Sequence, residues 1–374
     1  MAKGARIGAR IDDDALNVVA ETIDRLISLD FRDRGITGQL YAAARNHVGA
    51  PLAYAAALAI SQALDPPEPA ARTAGPADRS AIICTGFMIR SAGQPETDGL
   101  TGAALLARGL AAAFGIAPVL ATDDTAVGPL AAACRAAGLC VTTTAYRGSV
   151  HRPRTLPLPL PGRACTASPA EAVIVPFPAG SAPAAVRPLA ADLLSSVNPR
   201  VVISIERPGA NRLGVHHNAR GRSISDITAP LDELFTQAQA AGVPTVAIGD
   251  LGNELGMGVV ADTLRALNPL GSRCACPCGS GIACDTPADV TVVGAISDDA
   301  AYGILACLAA LRGDINILPT PDILQAVLRA AVAAGAVDGL TGKSEYSIDM
   351  LGEAIHCSLI GLMGAVLECA GSGE

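Results

Sequence analysis

The chain has 374 residues, of which 50% are hydrophobic, 17% are charged and 3% are aromatic, and its formal net charge is −8. This length exceeds one average domain, and the apolar content is ample for a large core. The negative charge argues against nucleic acid or an anionic membrane as a partner, because both reward clustered Lys and Arg.

Features that would direct the chain to a membrane or a secretory route do not stand out. The amino terminus lacks the long apolar segment of a secretory signal, and no uninterrupted apolar run reaches the ~18 residues of a membrane span. The 11 cysteines are scattered and odd in number. This pattern is typical of a reducing compartment, so we expect a cytoplasmic protein. The sequence leaves open whether it forms a homo-oligomer.

The first part of the chain predicts helices. A stretch from residue 12 to about 64 reads as helical, with one apolar face carried by Leu16, Val19, Ile23 and Ile27. Residues 65–79 are rich in proline and charge, which is typical of a boundary between domains. We therefore expect a helical N-terminal cap over residues 1–75 and an α/β domain over residues 76–374.

From residue 81 onward, strand-like apolar runs alternate with helical patterns. This alternation predicts a three-layer α/β fold with a mostly parallel sheet flanked by helices. The predicted strands are 81–86, 117–122, 140–145, 172–177, 201–205, 244–248 and 290–294. The predicted helices lie near 101–115, 125–138, 186–197, 229–241, 257–267, 299–312, 320–335 and 350–369.

Polar clusters follow several of these strands. After the first strand, two acids and a hydroxyl stand ahead of a helix, at Glu96, Thr97 and Asp98. An N-cap explains one of them but not both acids. After the seventh strand, helix capping explains Ser297, Asp298 and Asp299 at least as well as a functional role does.

The fifth strand is followed by a polar loop of about 20 residues, a length that is typical of a functional lid. The loop begins with Glu206 and Arg207, and its other polar side chains include Asn211, His216, His217, Asn218 and Arg220.

The most informative stretch is PTVAIGDLGNELGMG at residues 244–258. Its apolar run predicts the end of a buried strand, and Asp250, Asn253 and Glu254 follow at once. Open α/β sheets bind their ligands at the carboxyl ends of their strands, and the glycines permit close backbone approach. We interpret this stretch as a site rather than an ordinary glycine-rich turn.

The segment CACPCGSGIAC carries four thiols, at Cys274, Cys276, Cys278 and Cys284. Zinc binding is one interpretation, although structural zinc sites usually use paired ligands two to four residues apart and the first three of these cysteines alternate. The spacing favours a loop with oxidisable thiols. On that interpretation, replacing Cys274, Cys276 and Cys278 by Ser leaves both the fold and the response to a divalent metal intact.

Five segments, in order, resemble the successive signatures of the D-glutamate cyclase family in its C-terminal catalytic-type domain. They are TGF…ETDGLTGAALLARGL, IERPGAN…NARGRSISDITAPLDELF, AIGDLGNELGMG, GIACDTPADVTVVGAIS and VDGLTGKSEYSIDMLGEAIH. The similarity runs from about Asn46 to the C terminus. It implies an α/β carbon–oxygen (hydro-)lyase that interconverts D-glutamate and 5-oxo-D-proline plus water, with an associated divalent cation such as Mn²⁺.

The resemblance and the chemistry of the side chains together predict the site residues. The predicted catalytic residues are Asp250, Glu254 and Glu206, with Glu254 or Glu206 as the base. The predicted substrate-binding residues are Arg207, Asn211, Asn218, Arg220, Asn253 and Thr97, with Arg207 or Arg220 clamping a carboxylate. The predicted metal ligands are Asp98, Asp250 and Glu96, because acidic oxygens suit a divalent cation.

The chain departs from the family pattern in two places. Leu251-Gly252 stands where the family has a glycine pair, and residues 297–301, SDDAA, stand where Ser-Asn-Trp-Gly-Gly is expected. The alternative is therefore a non-catalytic binding protein, or a related enzyme, for another acidic amino acid or lactam. An enzyme for a phosphorylated substrate is disfavoured because the glycine-rich stretch carries no Lys.

Overall fold

A computed structural model describes residues 13–65, 80–144 and 170–371. Its strands, in chain order, are β1 (Ala81–Cys84), β2 (Met88–Ile89), β3 (Gln94–Pro95), β4 (Val119–Asp123), β5 (Cys140–Thr143), β6 (Glu171–Phe177), β7 (Val201–Ile205), β8 (Thr245–Gly249), β9 (Val290–Val293), β10 (Ser347–Ile348) and β11 (Leu351–Gly352). Seven of them form one sheet in the order β5-β6-β4-β1-β7-β8-β9, and all its neighbours are parallel. The seven predicted strands are confirmed, although residue 145 of the third lies outside the described residues.

The helices, in chain order, are α1 (Asp13–Ile27), α2 (Thr37–Val48), α3 (Leu52–Leu64), α4 (Leu100–Phe114), α5 (Val127–Ala136), α6 (Pro183–Val197), α7 (Asp232–Ala240), α8 (Ala261–Leu267), α9 (Pro269–Ser272), α10 (Ser297–Arg312), α11 (Pro321–Ala333) and α12 (Glu353–Gly371). They cover both faces of the sheet and confirm the predicted three-layer α/β fold.

Alternate strand residues enter two separate cores. Ile83 and Ile248 belong to the core beneath α4 and α10, whereas Ile82 and Val202 belong to the core beneath α6 and α7. Because both faces are covered, the central strands are apolar throughout rather than alternating with polar residues.

The three N-terminal helices pack against α10 and against the edge strand β9 of the sheet. α1 and α3 contact α10, and α2 and α3 contact β9. A Cβ on Gly303 of α10 would lie 2.6 Å from Ile27 Cγ2, so this glycine permits the close approach of α1. The predicted boundary at residues 75 and 76 lies outside the described residues, and the division into two domains stays a prediction.

Among the described residues, α12 is long and apolar enough to cross a membrane by length and composition, and α2 with α3 passes the same test as a pair bent by 44°. In α12, 28% of the apolar window is buried. The buried residues Leu359, Met363 and Leu367 recur at spacings of four, so α12 packs one face against α1, α10 and α11.

The strand order brings the polar clusters to one edge. β1, β7, β8 and β9 are parallel neighbours, so their carboxyl ends lie side by side. The chain runs outward from β1 to β4 on one side and resumes with β7 on the other, which makes β1 the switch point of the sheet. Ligands of open α/β sheets bind in the crevice at such a point.

Candidate active site

Six buried carboxylates gather at this edge of the sheet, and we call them the acid cluster: Glu96, Asp98, Glu206, Asp250, Glu254 and Asp349. Within it, oxygens of Glu206, Asp250 and Glu254 lie within 4.8 Å of one another. Oxygens of Asp98, Asp250 and Asp349 form a second such group. Asp98, Glu206 and Asp250 therefore converge on one crevice, as the sequence predicts.

Glu254 is held by the turn that carries it. Its carboxylate oxygens accept hydrogen bonds from the backbone N–H groups of Leu251, at 3.0 Å, and Gly252, at 2.7 Å. Burial and the nearby charge of Asp250 nevertheless raise the pKa of Glu254 to about 8. A carboxyl group that titrates close to neutral pH is suited to accept and release protons.

Glu206 stands directly after β7 in a left-handed backbone conformation, with φ +39°. Such a conformation is costly for a residue other than glycine and is typical of functional sites. Its Oε2 accepts a hydrogen bond of 2.5 Å from Ser297 Oγ. Burial, followed by the charges of Asp250 and Glu254, raises the pKa of Glu206 well above its usual value.

Glu96 belongs to neither group of three, although it was predicted as a metal ligand with Asp98 and Asp250. Burial, followed by the charge of Asp349, raises its pKa well above the usual value. A Cβ on Gly339 would lie 1.9 Å from Glu96 Oε2, so the Glu96 carboxylate lies directly against the backbone of Gly339.

Asp98 and Asp298 cap each other's helices. Asp98 accepts hydrogen bonds from the backbone N–H groups of Ser297 and Asp298 at the start of α10, and Asp298 accepts them from Gly99 and Gly102 at the start of α4. Asp98 also accepts one from Gly99. The predicted capping role of Asp298 is thus found, but on the opposite helix.

Two charged residues of the site escaped prediction. Arg34, between α1 and α2, donates to Asp250 Oδ2 at 2.7 Å and also to Asp349. Asp349 lies in the two-residue turn between β10 and β11 with φ +52°. Burial and the charge of Asp250 raise its pKa to about 6, although Arg34 lowers it. Arg34 lies between α1 and α2, inside the stretch from residue 12 to about 64 that is predicted to be helical, so the predicted pattern does not point to it.

Arg207 does not face the crevice, contrary to the role predicted for it. Its guanidinium is fully buried and donates to both oxygens of Asp123 and to the carbonyls of Gly86 and Ala229. Local sequence does not reveal this ion pair, because the partner carboxylate lies at the end of β4, 84 residues away in the chain. Arg207 is committed to this ion pair, which leaves the clamping of a substrate to other arginines.

Two other predicted substrate-binding side chains are engaged within the protein. Thr97 Oγ1 donates to the carbonyl of Ser347 at 2.8 Å, and Asn211 Nδ2 donates to the carbonyl of Gly281 at 2.8 Å. Asn253 is different. Its Nδ2 donates to the carbonyl of His217 at 3.1 Å, whereas its buried Oδ1 has no hydrogen-bond partner among the described residues.

A basic cavity adjoins the acid cluster. Its volume is about 340 Å³, and the residues that line it are Met88, Ile89, Arg90, Ser91, Asn218, Arg220, Arg222, Gly339 and Leu340. Gly339 joins the two regions, since it lines the cavity and also contacts Glu96. Asn218 and Arg220, both predicted to bind substrate, are therefore at a cavity of suitable size for a small ligand. Whether their loop moves as a lid stays a prediction.

Comparison with known proteins identifies the family to which this chain belongs. The family model described as "D-glutamate cyclase-like, C-terminal" matches residues 23–363. The human protein "D-glutamate cyclase, mitochondrial" is 33% identical over 139 residues. That match covers 37% of this chain and 20% of the human protein, so the chain corresponds to about a fifth of that relative's length. Because the family model spans the whole seven-stranded sheet and the whole acid cluster, the chain belongs to the D-glutamate cyclase-like family, in its C-terminal domain.

Proposed function

We propose that this protein interconverts D-glutamate and 5-oxo-D-proline plus water, as a carbon–oxygen hydro-lyase. The observation that carries the proposal is the convergence of Glu206, Asp250 and Glu254 within 4.8 Å beside a cavity lined by arginines. An acidic amino acid carries both an ammonium group and carboxylates, so it is complementary to both regions.

The reaction sets clear demands on the site. The amino nitrogen forms a bond to the γ-carboxyl carbon, and one carbon–oxygen bond of that carboxyl group breaks. Two protons leave the nitrogen, and both depart with the oxygen as water, so atoms and charge balance without a redox partner. A catalyst must therefore carry protons over a short distance from nitrogen to oxygen.

The carboxyl groups of the acid cluster meet this demand. Glu254, whose pKa lies at about 8, accepts a proton from the ammonium group. Glu206, whose raised pKa favours the protonated form, donates one to the departing oxygen. The unpartnered Oδ1 of Asn253 accepts a hydrogen bond from the substrate nitrogen and orients it.

The arginines of the cavity bind the α-carboxylate in this proposal. Arg220 and Arg222 lie on the cavity wall and replace Arg207 in the clamping role. A guanidinium and a carboxylate form charge-assisted hydrogen bonds, which fix the substrate with its γ-carboxyl group toward the acid cluster.

The acid cluster also fits a divalent cation such as Mn²⁺. Asp98, Asp250 and Asp349 offer oxygen donors that hard cations prefer, and they are the set we propose, because this set leaves Glu206 and Glu254 free to carry protons. Their three negative charges exceed the two positive charges of Arg34 and Arg32 beside them. When bound, such a cation supplies Lewis-acid polarisation of a substrate carboxylate.

The test is product analysis by proton NMR. We would incubate the protein with D-glutamate, L-glutamate and each enantiomer of 5-oxoproline, with and without Mn²⁺, beside samples without protein that record spontaneous cyclisation. We expect conversion of D-glutamate to 5-oxo-D-proline, faster with Mn²⁺. Calorimetric binding without turnover would instead identify a binding protein, and a preference for another substrate would identify a related enzyme.

A further inference from the structure

A second group of ligand-type side chains lies outside the acid cluster. His217, Cys274, Cys276 and Cys278, which we call the Cys3His cluster, present one ligand atom each, all within 4.8 Å of one another. Cys274 Sγ lies 3.5 Å from Cys276 Sγ and 3.2 Å from Cys278 Sγ. His217 Nε2 lies 3.2 Å from Cys276 Sγ and 3.5 Å from Cys278 Sγ.

These distances suit a tetrahedral ion. A zinc–sulfur bond of about 2.3 Å places two sulfur ligands roughly 3.7 Å apart across a tetrahedron. The observed separations are shorter by only a few tenths of an ångström, so a small outward shift of the side chains accommodates the ion. Three thiolates and one imidazole, with no fourth position left for water, form a set of ligands typical of structural zinc sites.

The side chains are of the kinds that coordinate zinc. Thiolate sulfur and neutral imidazole nitrogen are the forms that bind the ion, and each thiol releases its proton when zinc binds.

The backbone around the cluster already joins the two segments that supply it. Ala275 N–H donates to the carbonyl of Gly221 at 2.9 Å, and Arg212 Nε donates to Ser280 Oγ at 2.6 Å. Gly221 has φ +73°, and a Cβ there would lie 2.8 Å from Ala275 N. This glycine therefore allows the loop that carries His217 to approach the cysteine segment closely.

We propose that His217, Cys274, Cys276 and Cys278 bind one structural zinc ion, which fastens the loop at residues 206–224 to the segment at residues 274–284. Two hydrogen bonds connect these segments to the turn at residues 250–254. The N–H group of Cys284 donates to the carbonyl of Gly252, and the side chain of Asn253 donates to the carbonyl of His217. The ion thus stabilises the turn that carries Asp250 and Glu254, and it holds Arg220 at the cavity. It takes no part in the proposed reaction.

Metal analysis of the purified full chain tests this proposal. Protein made in zinc-supplemented medium and purified without chelators is expected to contain one zinc per chain by plasma mass spectrometry. Cys276→Ser and His217→Ala should each weaken zinc binding by at least about tenfold, the lower limit even for loss of outer-sphere partners. Cys140→Ser, at an exposed cysteine on β5, and Asp250→Asn, in the acid cluster, should keep their zinc.

Spectroscopy of the wild type keeps the test decisive if the variants fail to fold. Replacing zinc by cobalt(II) should give intense visible bands of a tetrahedral site together with thiolate-to-cobalt charge transfer. The proposal would be overturned if wild-type protein is isolated without zinc and also shows none of these bands after cobalt(II) is added. It would also be overturned by native mass spectrometry that shows a Cys274–Cys278 disulfide in the isolated protein, or by cysteine variants that bind as much zinc as the wild type.

Discussion

At the scale of single residues, Arg34 is the only positive charge that the structure shows in hydrogen-bond contact with the acid cluster within the described residues. It bridges Asp250, which belongs to both groups of three carboxylates, and Asp349, which belongs to one of them. Because the site gathers acids that repel one another, its stability depends on this guanidinium more than on any single carboxylate.

Arg34→Gln should therefore destabilise the protein by about 3 kcal/mol, the cost of removing one partner from a buried ion pair. The loss should be larger at pH 8 than at pH 5, because Asp349, with a pKa of about 6, is protonated at the lower pH and needs no counter-ion. Urea unfolding at both pH values measures this. Arg187→Gln, which removes a surface ion pair with Glu233, is the control, and an equally small effect of both variants would contradict the assignment.

The cavity arginines have a different expected signature. Arg220→Ala and Arg222→Ala should each raise KM for D-glutamate on the order of tenfold while changing kcat little, because a charge-assisted hydrogen bond contributes about 1–2 kcal/mol to binding. Steady-state kinetics measures this, with Arg135→Ala on the exposed side of α5 as the control. A fall in kcat at constant KM would place these arginines in the chemistry rather than in binding.

At the scale of elements, the facing ends of α4 and α10 hold the floor of the site together. Gly102 is required there, because a Cβ would lie 2.3 Å from Asp298 Oδ1 and 2.6 Å from Ile205 Cδ1. Gly102→Ala should cost about 1–3 kcal/mol of unfolding free energy through overpacking. Gly361→Ala, in α12 with no atom within 4 Å of the added Cβ, should instead gain about 0.5–1 kcal/mol. Thermal unfolding of both variants compares them, and equal shifts in Tm would contradict the packing account.

The elements also show why part of the site was predictable. Each predicted acid follows a strand whose apolar run is visible in the sequence, and parallel strands bring their carboxyl ends to one edge. Glu206, Asp250 and Glu254 could therefore be grouped from local patterns alone. His217 and Cys276 could not, because 59 residues separate them and only the folded loops bring imidazole and thiol to 3.2 Å.

Asp349 and Arg207 illustrate the same limit. Asp349 lies in a two-residue turn whose residues, Asp and Met, lack the Asn-Gly signal of such turns. The family resemblance and the fit of a guanidinium to a carboxylate predict that Arg207 binds substrate, yet its charge is matched by Asp123 from a strand that is not adjacent to β7. Patterns of period two and 3.6 identify buried faces, but they do not identify the partner of a charge.

At the scale of the whole molecule, the raised pKa values of the acid cluster predict how stability depends on pH. A carboxyl group whose pKa is higher in the folded than in the unfolded chain stabilises the fold fully below its unfolded pKa, and that stabilisation is lost as pH rises through the folded value. Asp349, Asp298 and Glu254 have folded pKa values of about 6, 7 and 8. His217, with a lowered pKa, acts in the opposite sense.

Tm should consequently fall between pH 5.5 and pH 8.5 when no divalent cation is added, and Mn²⁺ should restore part of the loss at pH 8.5. Calorimetry at a series of pH values measures both effects. Glu254→Gln, which removes the group that titrates at about pH 8, should flatten the upper part of the curve. Two results would contradict this account of the acid cluster. One is a Tm that rises over this pH range, and the other is a Tm at pH 8.5 that Mn²⁺ leaves unchanged.

The most direct test of the whole account is the rate of 5-oxo-D-proline formation by wild type and Glu254→Gln. The account predicts a loss of at least about a hundredfold in kcat/KM for Glu254→Gln, and similarly for Asp250→Asn and Glu206→Gln, with unchanged circular dichroism. Asp262→Asn, at a carboxylate whose side chain is 98% exposed on α8, should retain full activity. Equal rates in wild type and Glu254→Gln would contradict the claim that the acid cluster performs the reaction.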